Sequence, residues 1–115
     1  MIEEKAKLFK ALSDPNRLRI LKMLQAKKLC VCEITYVLDL APSTVSEHLS
    51  ILKRSEFILE EKDGKWVNYM INPRPSDPVV GSILSMLPFW INDTAAADSG
   101  LERINSADRN EICCR

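Results

Sequence analysis

The sequence predicts a mainly α-helical domain carrying one β-hairpin, and three observations predict it. Apolar residues recur at helical spacing in five segments between residues 2 and 91. Asp14-Pro15 and Ser76-Asp77-Pro78 place a capping side chain before a proline, the arrangement that opens a helix. After the fourth segment the period changes, and Asp63-Gly64 separates two β-prone runs, a strong short-range hairpin signal. At 115 residues the chain reads as one domain.

The first helix is expected over 2–13, with Ile2, Ala6, Leu8, Phe9 and Leu12 near one broad face. The second is expected over 15–26. Leu18, Ile20, Leu21 and Leu24 face inward there, and Arg17, Arg19 and Lys22 are more exposed. Residues 26–28 form a loop. The third helix is expected over 31–38, with Val31, Ile34, Val37 and Leu38 on its core face. Cys30 stands where a Ser or Thr cap is usual, and Glu33 holds the capping-box position. Residues 39–42 are the turn, because Pro42 disfavours a helical Ala41.

The fourth helix is expected over 43–55, capped by Ser43 or Thr44. Val45, Leu49 and Leu52 fall at i, i+4 and i+7 and face the core. The hairpin runs from Phe57 to Ile71, with Trp66 and Tyr69 in its core. The fifth helix is expected over 78–87, reaching at most 91, with Pro88 kinking or ending it. It is apolar on more than one face, which in so small a chain calls for a partner surface. Residues 1–92 thus form the domain and 93–115 a mobile tail. Four helices, a hairpin and a last helix make a winged helix-turn-helix plan, homodimeric through the first and last helices.

Formal charge is zero but uneven. Residues 1–75 carry 13 Lys/Arg against 10 Asp/Glu, and residues 76–115 carry 3 against 6. A mildly basic body permits nucleic-acid binding without demanding it. No apolar run approaches the roughly 18–20 residues of a membrane span, and residues 1–10 lack a signal-peptide core. A cytoplasmic location is the expectation, where the four cysteines are ligands or sensors rather than disulfides.

Cys30 and Cys32 form one thiol pair, and Cys113 and Cys114 form another in a polar tail with no core to fill. On the fourth helix, Ser43, Thr44, Ser46, Glu47 and Ser50 are short enough to enter a major groove, and Glu47 can accept from cytosine N4. Lys53 and Arg54, with Lys62 and Lys65 on the hairpin, suit phosphate. His48 lies beside the core face and reads as a packed structural residue. A thiol enzyme is disfavoured: there is no C-x-x-C, no phosphate-cradling loop and no general base beside the thiols.

Four segments occur in an order that identifies a family: A-L-S-D-P-N-R-L-R-I-L-K-M-L, L-C-V-C-E, S-T-V-S-E-H-L-S-I-L and D-G-K-W-V-N-Y. Over about residues 5–90 the chain resembles the ArsR/SmtB-type metalloregulatory transcriptional repressors, and L-C-V-C-E resembles their arsenic- and antimony-sensing branch. The resemblance implies a homodimer on double-stranded operator DNA with an inverted repeat, released when As(III) or Sb(III) binds, and no catalytic cofactor. Such sensors often carry a third cysteine where Thr35 stands here. The expected ligand set is therefore Cys30, Cys32 and one of Cys113 or Cys114. The histidine and carboxylate ligands of zinc-sensing members have no counterpart between Val79 and Trp90. A Cd-, Zn- or Pb-responsive repressor, or a thiol-redox-responsive one, is the alternative on the same fold.

Overall fold

The computed structural model describes residues 1–91. The expected tail, with Cys113 and Cys114, lies outside the described residues. Helix α1 spans Ile2–Ala11 and stops two residues short of expectation. The N–H groups of Leu12 and Ser13 turn back onto the carbonyls of Phe9 and Lys10, both at 3.1 Å. The Ser13 hydroxyl donates to Lys10 O as well, at 2.6 Å, and these short-range bonds close the helix. Helix α2, Pro15–Ala26, opens as the sequence predicts: Asp14 Oδ1 accepts from the N–H groups of Asn16 (2.8 Å) and Arg17 (3.2 Å), with Pro15 in the first turn.

A two-residue strand β1, Leu29–Cys30, follows, and the sequence reading missed it. Helix α3 spans Val31–Leu38 and ends on Asp39 in the left-handed region, φ 55°. Helix α4 spans Pro42–Arg54. It starts one residue earlier than expected, because Pro42 takes the first helical position and extended Ala41 is the N-cap. Ser43 and Thr44 therefore do not cap it. Strands β2 (Ile58–Asp63) and β3 (Trp66–Ile71) form the wing. Their loop is Gly64-Lys65 rather than Asp63-Gly64, since Asp63 pairs with Trp66. Gly64 leads the loop at φ 61°, which a residue with a Cβ adopts poorly. The sheet is antiparallel in the order β1-β3-β2, with Leu29 opposite Tyr69 and Cys30 opposite Asn68.

Helix α5 runs Pro78–Trp90, capped by Asp77, whose Oδ1 accepts from Val79 N–H at 2.9 Å. Ile20, Leu21, Leu29, Ile34, Val45, Leu49, Leu52, Phe57 and Val80 are fully buried, so all five helices and the wing contribute to one core or pack against it. No helix among the described residues is long and apolar enough to cross a membrane.

Pro88 does not end α5. A proline in a helix removes the N–H that would bond the carbonyl four residues back, here that of Leu84. Gln25 on α2 supplies the donor instead: its Nε2 bonds Leu84 O at 2.9 Å. Gln25 Oε1 is itself buried without a partner among the described residues. We expect Gln25→Ala to cost about 1–2 kcal/mol of stability in urea denaturation, since it orphans a carbonyl. Adding Pro88→Ala restores a backbone donor for Leu84 O, so the double variant should recover most of that loss.

Candidate nucleic-acid interface and thiol pocket

Helix α4 has two unlike faces. Val45, Leu49 and Leu52 are fully buried. Ser43, Thr44, Ser46, Glu47, Ser50, Lys53 and Arg54 are all exposed, as are Lys62 and Lys65 on the wing. The residues that the sequence singled out are thus all solvent-exposed, though Arg54 also lines a gap between α4 and α1. Lys53 is ion-paired with Glu60 of β2. Its hydrogen bond holds the Glu60 carboxyl below the usual carboxylate range, with a smaller contribution from the Tyr69 hydroxyl. Burial, then the Glu60 charge, pushes the Tyr69 phenol up. At the wing tip, the Lys65 ammonium lies 5.0 Å from the centre of the Trp66 ring.

His48 projects from the side of α4 into the fold and meets Arg17 of α2. Arg17 Nη1 lies 3.1 Å from His48 Nδ1. A guanidinium has donors only, so this contact is a hydrogen bond when Nδ1 is the unprotonated ring nitrogen. The Asp14 carboxylate is 4.0 Å from Nε2 of the same ring. His48 is thus a packed structural residue, as the sequence suggests. Arg17 departs from its expected exposed position and turns inward. Its Nε donates to Ala11 O at 2.6 Å and its Nη2 to Lys10 O at 3.3 Å.

The described thiols sit at the junction of β1, α3 and the wing. Cys30 is both the last residue of β1 and the N-cap of α3. Its N–H donates to Glu33 Oε1 at 3.0 Å, and its sulfur accepts from the Glu33 backbone N–H, a capping box with sulfur in place of a hydroxyl. Cys30 is 3% exposed and Glu33 4%, whereas Cys32 is half-buried. Thr35 does not add a donor toward a ligand: its hydroxyl bonds Cys32 O at 2.8 Å. Both thiols line a cavity of about 250 Å³ with Val31, Glu60, Trp66, Val67 and Tyr69. Sequence reasoning missed this cavity, since its far wall is built by β3 and Glu60, nearly thirty positions on. Among the described residues no group of three His, Cys, Asp or Glu side chains could hold a metal ion. Cys30 and Cys32 are the two sulfur-bearing residues on the lining of this cavity.

A polar, cation-ended helix backed by a fully apolar face, beside a β-wing, defines a winged helix-turn-helix transcriptional regulator rather than an enzyme. A family model described as "Bacterial regulatory protein, arsR family" matches residues 14–59. An arsenical resistance operon repressor of Escherichia coli is 42% identical over 57% of this chain and 57% of its own length. The arsenic resistance transcriptional regulator ArsR2 of Pseudomonas putida is 30% identical over 93% of this chain and 95% of its own. A cadmium resistance regulatory protein, CadC of Listeria innocua, is 45% identical over 55% of this chain and 54% of its own. Among solved structures, reduced HlyU from Vibrio cholerae has a TM-score of 0.66 at 27% identity, over 79% of this chain and 92% of that one. The chain belongs to the ArsR family of bacterial regulatory proteins.

The capping and positioning of α2 carry a pH dependence. Burial raises the Asp14 carboxyl, but the N–H donors of Arg17 and Asn16, followed by the His48 and Arg17 charges, outweigh it and hold the group below its ordinary 3.8. A carboxyl depressed in the folded state contributes stability that is complete above the unfolded value and lost as pH falls through the folded one. Asp14→Asn retains a capping oxygen but removes that linkage. Its urea midpoint should therefore fall less steeply than that of the unsubstituted protein as pH drops below about 4.

Proposed function

We propose that the chain is a dimeric arsenite- and antimonite-responsive repressor that binds an inverted-repeat operator in the cytoplasm and lets go when a trivalent metalloid closes on its thiolates. The observation that carries this reading is the position of the described thiol pair. Cys30 is half of the capping box of α3, Cys32 lies within its first turn, both residues line a cavity, and α3 packs against α4. Trivalent arsenic and antimony are thiophilic ions that take three sulfur donors, and thiolates select soft ions of this kind. Cys30 and Cys32 supply two, and Cys113 or Cys114 supplies the third. Residues at i and i+2 of a regular helix diverge by about 200°, so closing both sulfurs on one atom works against the first turn of α3. The ligand thereby favours a state in which α4 no longer fits DNA.

In the DNA-bound state, Ser43, Thr44, Ser46, Glu47 and Ser50 enter the major groove, and Glu47 is the candidate acceptor from cytosine N4. Lys53, Arg54, Lys62 and Lys65 face phosphate. The second copy docks on the apolar residues of α1 and α5, where Phe89 is 74% exposed and Ile2, Phe9, Met86 and Trp90 are exposed as well. Lys5 of α1 pairs with Asp77, the N-cap of α5, at 2.6 Å and links the two helices. A cadmium-responsive reading rests on one observation: the chain has four cysteines, enough for a tetrahedral thiolate site.

DNA binding measured by anisotropy with arsenite, antimonite, Cd²⁺ and Zn²⁺ decides between the two readings. Arsenite and antimonite should release DNA at the lowest concentrations. Greater potency of Cd²⁺ would favour the four-thiolate reading, and failure of every ion would overturn both. Cys30→Ser with Cys32→Ser should abolish release while leaving DNA affinity unchanged. Cys113→Ser with Cys114→Ser should weaken arsenite by about tenfold or more. Separately, Phe89→Glu with Trp90→Glu should give a monomer in sedimentation. Its operator affinity should fall by roughly 100-fold or more, since the two half-sites are then bound independently.

A further inference from the structure

We propose that Arg17 is the positioning residue that fixes the reading helix α4 to the dimerisation helix α1, with His48 as its acceptor. The proposal rests on the dimeric operator-binding reading above and assigns the part that sets half-site geometry. Helix α1 and the C-terminal half of α4 do not pack side by side. A cavity of about 690 Å³ lies between them, walled by Leu8, Lys10, Ala11, Ile51 and Arg54, with Arg17 on its lining. Across that open gap the two helices lack the close packing that fixes elements within an interior. One guanidinium spans the gap. It donates to Ala11 O at 2.6 Å, adds a third donor at 3.3 Å to Lys10 O at the end of α1, and meets the His48 ring on α4 at 3.1 Å.

Arginine suits this position and lysine does not. The three acceptors come from two elements, and a planar fork meets them with donors in fixed directions. The base of the fork is fixed too: Asp14 accepts from the Arg17 backbone N–H at 3.2 Å and lies 4.0 Å from His48 Nε2. The imidazole is thus held between the guanidinium and the carboxylate. In a two-fold dimer built through α1 and α5, the angle from α1 to α4 sets the separation of the two reading helices. That separation must match half-sites about one helical turn apart. Arg17 therefore governs spacing selectivity rather than contact with any base.

The test uses the full-length protein and an inverted-repeat duplex enriched by the unsubstituted protein from a randomised pool. Two further probes are the same duplex with its spacer changed by one or two base pairs, and a single half-site. The unsubstituted protein should lose affinity by about tenfold or more when the spacer changes. Arg17→Gln and Arg17→Lys should remain dimers in sedimentation. Each should lose about tenfold on the enriched duplex, hold half-site affinity within about threefold, and show little spacer penalty. His48→Gln keeps an acceptor and should retain the penalty, whereas His48→Phe should lose it. If Arg17→Gln does not fold, Arg17→Lys and His48→Phe carry the same comparison. An unchanged spacer penalty in these variants, or equal losses on full site and half-site, overturns the proposal alone. No preference for the inverted repeat in the unsubstituted protein overturns the dimeric reading, and this proposal with it.

Discussion

The capping box between Cys30 and Glu33 is the interaction on which most of the molecule's organisation turns. Cys30 ends a strand paired to β3, begins α3 and carries a thiol. Glu33 is almost wholly buried, and one of its oxygens takes the Cys30 N–H. A helix of eight residues has little stability of its own, so α3 depends on its cap and its packing. Moving Cys30 away from Glu33 would leave a buried carboxylate without that donor, which costs about 1–3 kcal/mol. In the function proposed here, that cap is what a ligand closing on both sulfurs must act against. Sensing and folding then draw on the same few bonds.

The wing side of the pocket adds a second connection. Glu60 and Tyr69 line the cavity beside the thiols, and Glu60 also holds Lys53 at the end of α4. Tyr69 lies opposite Leu29 of β1 in the sheet and opposite Glu60 of β2. One residue therefore touches the strand that leads into Cys30, the cavity wall and the carboxylate that holds the reading helix. The nearness is geometric. Its energetic share is bounded by how much an exposed ion pair is worth.

Much of this was legible in the chain, and the exceptions share a physical cause. Asp14-Pro15, the Cys30/Glu33 box and the Val45/Leu49/Leu52 stripe are local signals, and each element formed where its signal stood. Strand β1 was not legible because two residues carry no period; it exists only through Asn68 and Tyr69 of β3. The sequence left open whether α5 ends at Pro88 or continues to 91, because the replacement donor that decides it, Gln25, is 59 residues from the carbonyl it serves. Arg17 read as exposed from its charge. Its partner His48 is 31 residues away, and the Ala11 and Lys10 carbonyls it meets lie at the end of a helix that stops early. Local periodicity places elements, while the bonds that set angles between elements come from distant residues.

The magnitudes decide which route couples thiols to DNA. A ligand that changes DNA affinity must act through a coupling of about 1–3 kcal/mol. The Lys53–Glu60 pair is half-exposed, with side chains 48% and 40% accessible. Pairs of this kind are worth about 0–1 kcal/mol and are screened by salt. Phosphate can therefore displace Glu60 from Lys53 at little cost, and breaking the pair cannot by itself supply the coupling. The cap and the buried contact of α3 with α4 can, because Ile34, Val45 and Leu49 are fully buried and their repacking carries kcal-scale costs. In the proposed mechanism the dominant path would thus run through α3, with the wing tuning the charge that α4 presents.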